Sequence, residues 1–158
     1  MEPVDGCLGI SSARALRFEW DRLGGVVGAV AQQKHLVLIL AREFASNLAT
    51  PMGITDEQGG LVYFNEAAES IIGTTFAEAG EMPFEEWSAK AAPRTREGEL
   101  LPPERRPAAI ALNERRAAHE RMKVTGLDGV EREIAVTAFP LFAHADEFVG
   151  MVAIFWGS

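Results

Sequence analysis

One cysteine, Cys7, is all the thiol that the 158-residue chain contains. A disulfide within the chain is therefore impossible, as is a cluster of thiolate metal ligands, and the expected setting is reducing and cytoplasmic. Cationic charge is also short: 15 Lys and Arg stand against 23 Asp and Glu, a formal net charge of −8. That balance argues against nonspecific attraction to nucleic acid or anionic lipid, both of which need an excess of Lys and Arg. The one Arg-rich stretch, "ERRPAAIALNERRAAHER" from Glu104 to Arg121, alternates Arg with Glu and reads as a solvated helix face.

Long apolar runs are missing as well. None approaches the roughly 20 residues that span a bilayer. The nearest, "GGVVGAVA" and "LVLILA", are split by the polar "QQKH". Ala29-Val30-Ala31 faintly matches a leader-cleavage site, but Glu2, Asp5, Glu19 and Asp21 stand where a leader carries positive charge, so export is not expected. No G-x-S-x-G, H-E-x-x-H or phosphate-loop motif occurs, and "HE" at 119–120 lacks its second His. No catalytic residue and no metal ligand is expected.

What is present suits one domain. A chain of this length buries about 68–70% of its unfolded surface and needs no staple. Residues 1–32 are poorly patterned, a flexible or partly helical lead-in with an amphipathic turn at 11–23. Over 33–49 the pattern sharpens: Leu36, Leu40, Phe44 and Leu48 recur at i, i+4, i+8 and i+12, and Val37 and Ala41 widen the stripe. This predicts an amphipathic helix, ended by Thr50-Pro51 because the residue before proline is pushed out of the helical region.

"MGITDEQGGLVYF" then predicts two strands around a polar turn at Asp56 to Gly60. Asn65 suits an N-cap, Glu66 and Glu69 favour the positive end of the following helix, and Gly73 suits its left-handed stop. Residues 74–103 show no clear period beyond a short helix at "MPFEEWSAK", with Phe84 and Trp87 on one side. "PPERRPAAIALNERR" (102–116) predicts a further helix with its prolines near the start. The chain closes with two strands joined through Gly126-Leu127-Asp128-Gly129, a turn at "AHADE", and a last strand "FVGMVAIFW" in which Gly150 marks a bulge. That strand is apolar on both faces, so it is expected at the sheet's centre. Strands at both ends with helices between them predict an α+β domain: a five-stranded antiparallel sheet with short helices across one face.

Two of these segments, in order, resemble a PAS domain, the small sensor module of signalling proteins. "ITDEQGGLVYFNEAAESIIG" (54–73) is similar to that family's strand, Asp-x-x-Gly turn, strand and Asn-capped helix. "TGLDGVEREIAVTAFPLFAHADEFVGMVAIF" (125–155) is similar to its closing hairpin and last strand. The match spans roughly residues 50–156 and makes 50–158 the sensor domain, with 33–49 as a dimerisation or linker helix. The family often closes with an Asp-Ile-Thr exit to an effector, whereas this sequence ends in "FWGS", so a free-standing sensor and a fragment both stay open.

The resemblance implies a cup between sheet and helices, filled by a ligand in some members and by side chains in others. Its expected lining is Phe64, Ile71, Phe84, Trp87, Ile110, Met122, Ile134, Val136 and Ile154. Covalent flavin photochemistry is not expected, since residues 74–103 contain no Cys, and haem is disfavoured because the helix before the third strand holds no His; His119 follows it, at the expected start of the strand. Noncovalent flavin or an apolar small molecule stays open. The expected function is a non-catalytic signal-sensing or interaction module, a homodimer through Leu36, Val37, Leu40, Phe44 and Leu48, with a downstream signalling protein as its further partner. The alternatives are a ligand-free dimerisation scaffold and a small α+β enzyme with its site in the same cup.

Overall fold

The structure, a computed structural model, describes residues 36–157. The lead-in over 1–32, with Cys7 and the turn at 11–23, lies outside the described residues. The first described element is a helix through 36–46 (α1), followed by β1 (Met52–Asp56), β2 (Leu61–Phe64), α2 (Glu66–Ile72), α3 (Phe76–Ala79) and α4 (Phe84–Ala91). A 3-10 turn (Pro103–Arg105), α5 (Pro107–Glu114), β3 (Ala118–Thr125), β4 (Glu131–Phe142) and β5 (Phe148–Gly157) complete it.

All strand pairings are antiparallel, in the order β2-β1-β5-β4-β3. The doubly apolar β5 is central, as its composition requires. A register shift leaves Leu141 opposite Gly150 and Phe142 opposite Phe148, so a bulge sits beside Gly150.

Strand alternation gives the sheet two dry faces. On one, Met122, Ile134, Val136, Met151 and Ala153 form a core with Leu101 and Ala111, against which Ile71, Trp87, Ala108 and Leu112 pack. On the other, Met52, Ile54 and Val152 meet Leu38, Ala41, Ala45 and Leu48. The helices α2, α4 and α5 thus pack on the first face and α1 on the second.

The helical segment is strapped to both edges of the sheet. At β2, Leu61 and Met82 exchange backbone hydrogen bonds of 2.7 and 3.1 Å; at β3, Arg94 and Lys123 exchange bonds of 2.8 and 2.9 Å. Each strap satisfies edge groups that would otherwise be open to another chain. Together they stretch the segment over the face like a lid fixed on two sides.

Three local expectations are corrected. The helix α1 ends at Ser46, ahead of Thr50-Pro51. Ser46 Oγ and Asn47 Nδ2 donate to the Glu43 carbonyl at 2.8 and 2.7 Å, and Leu48 N–H donates to Ala45 O at 3.1 Å, closing the last turn early. The helix expected over 102–116 is a 3-10 turn followed by α5, because Pro107 has no N–H to continue a helix and instead occupies the first position of a new one. Within the unpatterned stretch lies α3, capped by a reciprocal Thr75–Glu78 pair.

Candidate ligand-binding cup

Between the sheet and the helices lies a cavity of about 330 Å³. Its floor draws on all five strands, chiefly on alternate residues of β3, β4 and β5, Met122, Ile134, Val136, Met151, Ala153 and Phe155, and its roof on Ile71, Phe84 and Trp87. Trp87 is half-buried; its indole N–H donates 2.8 Å to the Gly59 carbonyl, and its ring meets Phe84 edge-to-face at 5.3 Å. The bond to Gly59 holds the α4 roof over the turn between β1 and β2, and the contact with Phe84, within α4, fixes the indole's orientation.

Of the expected lining residues, the structure brings Ile71, Phe84, Trp87, Met122, Ile134 and Val136 together around the cavity. Three lie elsewhere. Phe64 is buried against the edge of Phe76, with ring centroids 5.3 Å apart. Ile110 is buried in α5 but does not line the space. Ile154 is on the opposite face, in the cluster beneath α1. In β5 the cup takes Met151, Ala153 and Phe155, the other parity. His119 also points away from the cup: its Nδ1 is 2.8 Å from Thr137 Oγ1, and its ring lies 6.3 Å from that of Trp156.

Arg106, expected from the sequence on a solvated helix face, belongs instead to the cup. Arg106 is half-buried and lines the cavity; its Nε donates 2.7 Å to the carbonyl of the fully buried Leu101. Among the described residues it is the single ionisable side chain on the lining.

Beside the cup the β3–β4 turn docks on the end of α2. Leu127 N–H donates 2.6 Å to Ile72 O, and the Asp128 carboxylate lies over Gly73, whose φ of 86° is left-handed. Hydrogen bonds from Arg132 hold the Asp128 pKa down at about 2.

Asn65 joins the cup's elements to α1. Its Oδ1 accepts from Met52 N at 2.9 Å and from Ala68 N at 3.1 Å, capping α2 as expected. Its Nδ2 donates to the carbonyls of Ala45 at 2.9 Å, Leu48 at 3.2 Å and Thr50 at 2.8 Å. One side chain, 1% exposed, therefore touches the C-terminal end of α1, the start of β1 and the start of α2.

On α1 itself, Leu38, Ala41 and Ala45 face the sheet, while Leu36, Leu40 and Phe44 stand outward, more than half exposed. Val37 is half-buried. Leu48, expected in the outward stripe, follows the end of the helix and packs against the sheet.

No family model matches the chain, and no curated protein matches it in sequence. Solved structures do match it. The PAS domain from the fruit-fly ELK potassium channel gives a TM-score of 0.60 at 10% identity, over 76% of this chain and 95% of that one. The chain has a PAS fold. The PAS domain of BvgS from Bordetella pertussis agrees, with a TM-score of 0.51 at 19% identity over 77% of this chain and 84% of that one. So does the PAS domain of nitrogen regulation protein NR(II) from Vibrio parahaemolyticus, at 0.52 and 14% over 75% and 98%. The five-stranded sheet with helices across one face is the PAS architecture expected from the two ordered sequence segments. Among the described residues no helix is long and apolar enough to cross a membrane, and no group of His, Cys, Asp and Glu is placed to hold a metal ion.

Proposed function

We propose that the protein is a non-catalytic sensory module whose cup takes up a small apolar or aromatic molecule and relays its presence through α1 to a dimer partner. One observation carries this reading: an open volume of about 330 Å³, walled by apolar side chains, lies where a ligand-free scaffold would place filled core. Interiors rarely leave such space, because each unfilled methyl-sized void destabilises the fold.

The relay is a population shift. A ligand that favours one spacing of roof and sheet also acts on α2, whose first turn is capped by Asn65. Through the same amide it biases the end of α1. The outward stripe of Leu36, Leu40 and Phe44 supports a second copy as the body that reads this bias, since such a contiguous apolar face on a small domain favours association. A downstream signalling protein would then respond to the dimer's arrangement.

The test is native mass spectrometry of freshly purified protein, with an absorbance spectrum of the same sample. The expected result is a dimer carrying excess mass that disappears on denaturation; visible absorbance would identify that mass as flavin or haem. A bare monomer that also fails to take up any apolar probe would refute the proposal.

A further inference from the structure

Arg106 is out of keeping with the rest of the cup. The chain holds 23 acidic residues and a net charge of −8, yet among the described residues no carboxylate lines the cavity and its single ionisable lining group is a cation. That guanidinium is fixed: Nε donates 2.7 Å to the carbonyl of Leu101, in the loop before the 3-10 turn. The bond uses one donor of five. Among the described residues, no carboxylate pairs with Arg106, whereas its sequence neighbour Arg105 is bonded to Glu120 at 3.0 Å. Arg106 is thus half-buried and anchored by one edge, with its outer nitrogens, Nη1 and Nη2, left without a described acceptor.

A half-buried guanidinium beside apolar walls lacks full hydration and, among the described residues, a counter-charge, and each shortfall is met by an anion. The geometry of the free edge selects which anion. Two parallel N–H groups match the two oxygens of a planar carboxylate, and such forked bonds are the stronger kind. The remainder of the lining is apolar or neutral, so it would repel a second charge and accept a hydrocarbon or aromatic body.

We infer that the cup is a site for apolar monocarboxylates, the hydrophobic part lying between Trp87 and the sheet and the carboxylate held by Arg106. This rests on the sensory reading above and gives it a ligand class. The single positive group supplies selectivity by charge, while the acidic remainder of the surface keeps anions from collecting elsewhere.

The experiment compares decanoate with decanol, which share a chain and differ in charge, as competitors of the neutral dye N-phenyl-1-naphthylamine in the wild-type protein, Arg106→Gln and Arg106→Lys. Dye fluorescence reports the apolar cup regardless of charge. In the wild type, decanoate should displace the dye at about tenfold lower concentration than decanol or better, the scale of one charge-assisted hydrogen-bonded contact. Arg106→Gln should bring the two competitors level, and Arg106→Lys should keep part of the preference. The comparison is a ratio within each protein, so altered dye affinity does not disturb it; if Arg106→Gln fails to fold, the more conservative Arg106→Lys carries the assignment, by a preference smaller than that of the wild type. Dye uptake with no preference for decanoate, or a preference that survives Arg106→Gln, overturns the carboxylate site and leaves the apolar cup standing. No uptake of dye or competitor overturns the cup reading and the carboxylate site together.

Discussion

The side-chain amide of Asn65 donates 2.9 Å to the carbonyl of Ala45, twenty residues earlier in the chain, where α1 ends. Through this bond and its companions, one buried side chain closes the end of α1 and caps the start of α2. Asn65→Ala removes the cap and leaves several buried backbone groups without partners, so a loss of about 2–4 kcal/mol is expected in urea unfolding. Asn65→Asp should be no better: it keeps the acceptor for Ala68 but turns an oxygen toward three carbonyls. Limited proteolysis should find the end of α1 cut first in both variants.

Trp87 is wall and strap together, and two substitutions separate those roles. Trp87→Phe keeps most of the ring and loses the bond to Gly59, at about 1 kcal/mol. Trp87→Ala enlarges the cup; because the ring is only half-buried, the expected loss is about 2–3 kcal/mol, below that of a fully buried Trp. Uptake of a neutral dye should reach larger probes in Trp87→Ala. Unchanged probe selectivity would place the ring outside the binding space.

The Asp128–Arg132 pair predicts a pH window. The carboxylate has a pKa of about 2 in the fold against an ordinary 3.8, so its contribution to stability is complete above about pH 4 and fades as pH falls toward 2. Melting curves of wild type and Asp128→Asn should therefore differ by a constant amount at neutral pH and converge in that acid window. At the neighbouring contact, Gly73→Ala meets both a left-handed φ of 86° and the Asp128 carboxylate, and should cost more than about 1 kcal/mol.

Phe44→Glu and Leu40→Glu probe the outward face of α1. Both positions are more than half exposed, so the folded monomer should change by less than about 0.5 kcal/mol. Light scattering should show a dimer for the wild type and a monomer for each variant. A wild-type monomer at tens of micromolar would remove the dimer from the account.

Where local chemistry dictates structure, the sequence was legible. Asn65 and Gly73 announced both ends of α2, and the Gly126-to-Gly129 turn fixed the parity of β3 and β4, so Met122, Ile134 and Val136 were assigned to the right face. In β5 every position is apolar, alternation carries no sign, and Ile154 was taken for its neighbours Ala153 and Phe155. Only pairing with β1 and β4 sets that parity. The same holds for α1, where two apolar stripes lie back to back and the sheet selects Leu38, Ala41 and Ala45. Capping signals can be overlooked as well as absent: Thr75 and Glu78 stand at capping-box spacing, the mark of α3. Arg106 had no such signal. Its place in the cup follows from Pro107 breaking the expected helix, and from Leu101 being drawn into the core.

Uptake of ligand by the cup is read most directly at the cup-side methyl groups. Methyl-resolved NMR of the protein titrated with decanoate should shift Ile71, Met122, Ile134 and Met151, which line the cavity, while Met52 and Ile154 on the far face move less. Saturable shifts confined to the far face, or no shifts at any of these methyls, would contradict it.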